Sequence, residues 1–128
     1  MIQIKLSSIF VNNQMKALNF YTSILGFTKI SDEPIGGDRW ITVGNPKIDL
    51  ELLLEPNAHP ASKTYQEAIY NDGIPATMFY VDDLETEYNS LLKKGVKFKL
   101  SPTDMGKVKI AIFDDTCGNY ISLCEKLD

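Results

Sequence analysis

The feature that most constrains this chain is a phrase that occurs twice. Phe10-Val11-Asn12-Asn13 is echoed by Tyr80-Val81-Asp82-Asp83, an offset of 70 residues. Each phrase joins an apolar strand end to a polar helix start. A short Asn or Asp side chain there can accept the N–H groups that the first helical turn leaves unpaired. After the first phrase, Leu18, Tyr21, Ile24 and Leu25 recur at helical spacing, and Gly26 offers a stop before a strand at residues 27–30. After the second, Tyr88, Leu91 and Leu92 recur likewise, followed by Gly95 and a strand at residues 96–100. Two such units half a chain apart point to an internally duplicated domain, against the alternative of chance echoes in any βαβ-like chain.

The remaining segments fit that division. Residues 2–11 read as a strand, with Ile4, Leu6, Ser8 and Phe10 on one side and Lys5, Ser7, Ile9 and Val11 on the other. Pro34, Gly36 and Gly37 mark residues 31–39 as a loop. Strands at 40–43 and 48–54 flank the turn residues Gly44-Asn45-Pro46. In the second of these strands Asp49, Glu51, Leu53 and Glu55 share one face, and Leu50, Leu52 and Leu54 the other, which is expected to pack under helices. A short helix at 61–71, with Tyr65, Ala68 and Ile69 on one side, lies in the linker between halves, bracketed by Pro60, Gly73 and Pro75. Strands at 76–81, 107–113 and 120–125 complete the second half, with a loop marked by Pro102 and Gly106.

Composition narrows the classes of function. A length of 128 residues suits a single domain able to bury a core, and 44% hydrophobic with 23% charged residues is ordinary for a globular chain. A formal charge of −4, without a basic run or stripe, argues against nucleic acid as a partner. The only cysteines, Cys117 and Cys124, suit a reduced, cytoplasmic protein. No signal peptide, bilayer-length apolar run or lipidation motif is evident, so no membrane partner is expected.

Phe20-Tyr21, Leu25-Gly26-Phe27, Val81-Asp82-Asp83 and the run from Asp115 through Gly118-Asn119-Tyr120-Ile121-Ser122-Leu123 together resemble the vicinal oxygen chelate superfamily. That group includes glyoxalases, extradiol dioxygenases, fosfomycin-resistance enzymes and bleomycin-resistance proteins. The resemblance covers nearly the whole chain. It implies an α+β fold of two tandem βαβββ modules forming a cupped eight-stranded mixed sheet with helices outside, usually completed in a homodimer. Module 1 would span about 1–56, the linker helix about 57–74 and module 2 about 75–128.

Metalloenzymes of the group hold one ion with side chains from the first and fourth strands of each module. Carried onto this chain, those positions are Leu6, Glu51, Ala76 and Ser122. Leucine and alanine have no donor atom and a neutral serine hydroxyl is a poor ligand, so only Glu51 is competent. No metal or other cofactor is therefore expected. The single histidine, His59, lies between Ala58 and Pro60 and reads as a solvated loop side chain.

The resemblance then leaves a cup lined by Ser8, Phe10, Trp40, Glu51, Leu53, Met78, Tyr80, Ile110, Tyr120 and Ser122. This lining suits a small hydrophobic or cationic molecule; alternatively the same side chains fill the cup as a second core. Glu51 is the candidate catalytic residue, as a carboxylate with its pKa raised by desolvation, or else a relic paired with Arg39 or Lys109. Ser122 and Cys124 lack a base or cationic activator, and Asp82-Asp83 is explained by capping. Two readings follow. One is a metal-free small-molecule-binding protein. The other is a lyase, isomerase or dioxygenase, lactoylglutathione lyase-like or dioxygenase-like, which could work without metal with Glu51 as base.

Overall fold

The computed structural model describes residues 1–128, whose contacts gather into two compact units, residues 1–64 and 65–128. In unit 1, β1 (Leu6–Val11) leads into α1 (Gln14–Asn19), which runs on as a π-helical turn (Phe20–Ile24); β2 (Thr28–Ile35), β3 (Asp38–Gly44) and β4 (Glu51–Pro56) follow. Helix α2 (Pro60–Asn71) carries the chain onward. Unit 2 then holds β5 (Thr77–Tyr80), α3 (Leu84–Lys93), β6 (Phe98–Asp104), β7 (Val108–Asp114) and β8 (Tyr120–Lys126).

The eight strands hydrogen-bond as two four-stranded mixed sheets, ordered β1-β4-β3-β2 and β5-β8-β7-β6. In each, the first and fourth strands of the unit pair in parallel and the other pairs are antiparallel. A parallel pair needs a long crossover, which the intervening helix and two strands supply. The caps form as the repeated phrase implies: Asn13 Oδ1 accepts from the Lys16 amide at 3.0 Å, and Asp83 Oδ1 from the Thr86 amide at 3.2 Å. Gly26 and Gly95 both take φ of +86°, the left-handed backbone that ends each helix and that other residues adopt at a cost.

Each sheet buries one face under its own helix. In unit 1, Ile9, Val11, Ile41, Val43 and Leu54 meet the layer of Ala17, Phe20 and Tyr21, all buried, with α1 packed on β3 and β4. In unit 2, Ala111, Phe113, Ile121 and Leu123 play that part, with Leu84 and Leu91 from α3. Full burial of each large side chain contributes roughly 1.5–3 kcal/mol.

Several boundaries differ from the sequence expectation, each for a local reason. β1 begins at Leu6 rather than residue 2, because its partner β4 begins at Glu51, opposite Leu6. β4 itself runs Glu51–Pro56 instead of 48–54. The Ile48 amide is drawn to the Asn45 carbonyl and the Leu50 amide to the Ile48 carbonyl, holding 45–50 in turns. Residues 31–39 are not a loop but most of a hairpin through Gly36-Gly37, with Pro34 opposite Arg39. β2 is an edge strand, where a proline costs no ladder bond on its open side. Pro102 is likewise inside edge strand β6, where the register shifts between Leu100 and Thr103. The side of α2 that is buried is Gln66, not Tyr65 or Ala68. Gln66 Nε2 donates to the Cys117 carbonyl and to Asn119 Oδ1, both at 3.2 Å, a polar anchor that a search for apolar spacing misses.

Candidate functional site

The face of each sheet turned away from its helix carries the candidate residues. In unit 1 the register sets Ser8 opposite Leu53, Leu53 opposite Thr42 and Phe10 opposite Glu55. Glu51 and Trp40, each two residues from a member of that set, fall on the same face. In unit 2, Met78 lies opposite Ser122, Tyr80 opposite Cys124, and Ile110 opposite Cys124, with Tyr120 two residues before Ser122. Alternation along the strands, visible in the sequence, therefore sorts all ten onto these faces.

Their surroundings differ. Phe10, Trp40 and Leu53 border a cavity of about 500 Å3 within unit 1, joined by Ile35 on its apolar wall. Its polar rim includes Asp38, Glu55, His59 and Ser62. Trp40 is 36% exposed and its ring stacks on no other aromatic ring. The carboxylates of Asp38 and Glu55 have no hydrogen-bond or ion-pair partner in the fold. Ser8 and Glu51 do not line the cavity. Glu51 is half-buried, and its Oε1 accepts a 2.5 Å hydrogen bond from the buried Thr42 hydroxyl.

Arg39 does not reach Glu51. Its Nε donates to Asp32 at 2.6 Å, and this guanidinium holds the Asp32 carboxyl below the usual carboxylate range. The backbone beside the cavity is pinned from α1: Gln14 Nε2 donates to the carbonyls of Arg39 (2.7 Å) and Leu54 (2.9 Å). That tie fixes where β3 and β4 present Trp40 and Glu55.

His59 is exposed, as expected of a loop side chain, and it also makes a local bond. Its Nδ1 accepts from the Ala61 amide at 3.0 Å, and its carbonyl accepts from the Lys63 amide at 3.1 Å. His59 is thus the cap of α2, with Pro60 at the first helical position, where a missing N–H costs nothing. The clue available in sequence was the pair His59-Pro60 before a helical pattern. Strand alternation already set Glu55 on this face, whereas Asp38 and Ser62 had no motif to announce them.

In unit 2, Tyr120 is covered. It stacks on Tyr70 with centroids 4.4 Å apart and planes 4° from parallel, and Lys99 Nζ sits 5.3 Å from its ring. Ser122 is buried, while Met78 and Tyr80 are 40% and 63% exposed. Lys126 Nζ lies 5.4 Å from the Tyr80 ring.

The residues present do not fit the metal centre that the resemblance implies. Leu6 stands directly opposite Glu51 and offers only methyl groups, Ala76 offers one more, and no three His, Cys, Asp or Glu side chains converge anywhere in the chain.

Comparisons with known proteins agree with this architecture. The chain is 54% identical over 127 residues to the uncharacterized protein YurT of Bacillus subtilis (strain 168), covering 98% of this chain and all of that one. Among solved structures it is similar to UcmS2, with a TM-score of 0.85 and 28% identity over 98% of this chain and 99% of the other. It is similar also to TnmS3, an antibiotic binding protein from Streptomyces sp. CB03234, with a TM-score of 0.80 and 25% identity over 99% and 98%. Residues 3–123 match the family pattern itself, and the chain belongs to the Glyoxalase/Bleomycin resistance protein/Dioxygenase superfamily.

Proposed function

We propose that this protein binds a small, largely aromatic molecule, neutral or cationic, in the unit 1 cavity and acts by holding it. The observation that carries this reading is the cavity of about 500 Å3, with Trp40 and Phe10 in its wall and two unpartnered carboxylates at its rim. Pockets of this size and mixture are those that small ligands occupy. An indole face attracts planar rings and cations, the latter by roughly 0.5–2 kcal/mol. The likeness to an antibiotic binding protein supports the same class of role. Glu51, bonded to Thr42 and outside the cavity lining, has no observation that favours it as a catalytic base over a framework role.

Trp40 is the only tryptophan, so its emission tests the proposal without labelling. Fluorene, 9-fluorenone and the cation 9-aminoacridine should each change it saturably at micromolar concentration. Glu55→Gln should weaken 9-aminoacridine about three- to fivefold and spare fluorene, as expected for a partly exposed charge pair. No saturable change with any of the three would overturn the reading.

A homodimer in the cytoplasm is proposed alongside. Ile2 and Ile4 are 100% and 86% exposed beside Leu6 on an edge strand, apolar surface that a second copy can cover. Cys117 and Cys124 are buried and form no disulfide, as suits a reducing compartment. Light scattering should give twice the chain mass, and a clean monomer would contradict the dimer.

A further inference from the structure

We infer that His59 selects among ligands of the unit 1 cavity as a fixed hydrogen-bond donor, its donor state set by the helix cap it makes. The inference rests on the binding reading above and adds a specificity rule to it. A backbone N–H can only donate, so the nitrogen facing the Ala61 amide at 3.0 Å carries no proton. A neutral imidazole has a single N–H, which that bond assigns to Nε2. His59 is part of the cavity lining, and with Nδ1 occupied, Nε2–H is its remaining polar group.

The rest of the rim is complementary to this donor. Asp38 and Glu55 are acceptors, and the Arg39 guanidinium is committed to Asp32. The Ser62 hydroxyl can turn to serve either role. A ligand oxygen or heteroaromatic nitrogen is thus matched at His59, and a ligand N–H or ammonium at the carboxylates. A planar aromatic ketone should therefore bind better than the hydrocarbon of the same shape. His59 donates directly to the ligand from the polar rim, and the helix cap keeps it in one tautomer.

His59 is the only histidine, so its two ring nitrogens give one pair of 15N signals. They should report an unprotonated Nδ1 and a protonated Nε2, and 9-fluorenone should shift the Nε2 signal where fluorene does not. His59→Ser keeps a capping hydroxyl but withdraws the donor from the cavity. That variant should bind fluorene within about twofold of the parent and lose about five- to tenfold in 9-fluorenone affinity, the scale of one net hydrogen bond. A proton on Nδ1, or equal losses for both compounds while Trp40 still reports binding, would overturn the role of His59 alone. If neither compound changes Trp40 emission, the binding reading falls and this inference with it.

Discussion

The open faces of the two sheets share one plan and end in different states. Both follow the same strand order with a parallel pair at one edge, and both carry aromatic residues on the side away from the helix. In unit 2 the aromatic face is closed over part of its length: Tyr120 lies flat on Tyr70, Lys99 covers the ring, and the Tyr70 hydroxyl donates to Asp114 at 2.6 Å. In unit 1 the corresponding face keeps a cavity, and Trp40 has no ring against it. Helix α2 makes the difference. Its later turns bring Gln66 and Tyr70 down onto unit 2, while its start brings only His59 and Ser62 to the cavity rim of unit 1. A duplicated sheet can thus become a filled face or a receptor according to what one connecting helix offers each end.

The buried, helix-facing sides should behave alike, and this sets the largest effects. Tyr21→Ala in unit 1 and Phe113→Ala in unit 2 each remove a fully buried ring and should cost about 3–5 kcal/mol in urea unfolding followed by circular dichroism. A loss below about 1 kcal/mol at either position would mean that the two units are not built on equivalent cores. Gln66→Ala comes next. It leaves a buried carbonyl and Asn119 short of a donor, for about 1–3 kcal/mol, with no change in ligand affinity.

Tyr70→Phe is the finer test of the closed face. The bond to Asp114, and then burial, hold the Tyr70 hydroxyl well above the ordinary tyrosine range. A pKa raised by folding contributes stability that is intact below about pH 10, the unfolded value, and is lost as pH climbs beyond it, because the unfolded chain releases its proton first. The variant should be about 1 kcal/mol less stable at pH 7, the scale of one partly buried hydrogen bond, and should lose less between pH 9 and 11. Thermal melts across that range would check both, and an unchanged alkaline slope would contradict the assignment. The smallest effect on stability is expected at Trp40→Ala, about 1 kcal/mol or less at so exposed a side chain.

Much of this plan was legible in the sequence because it is written in local chemistry. The repeated strand-to-cap phrase gave both helices, their caps and the duplicated topology, and alternation along the strands sorted Phe10, Trp40 and Leu53 onto the cavity face. Strand limits were less legible, since β1 starts where its partner starts and not where its own apolar pattern does. Pro34 and Gly36-Gly37 read as a loop because a proline in an edge strand carries the same letters as one in a coil. His59 and Gln66 were missed for a common reason. Each is a polar side chain whose role is a hydrogen bond to a distant or turning backbone, which leaves no periodicity to find.

The most direct test of the account is a map of backbone amide shifts in 15N-labelled protein as 9-fluorenone is added. A receptor face in unit 1 predicts saturable shifts centred on Phe10, Trp40, Leu53, Glu55 and His59, with Tyr70, Tyr120 and Lys99 unmoved. Shifts centred instead on Met78, Tyr80 and Tyr120, or spread evenly over both units, would contradict it.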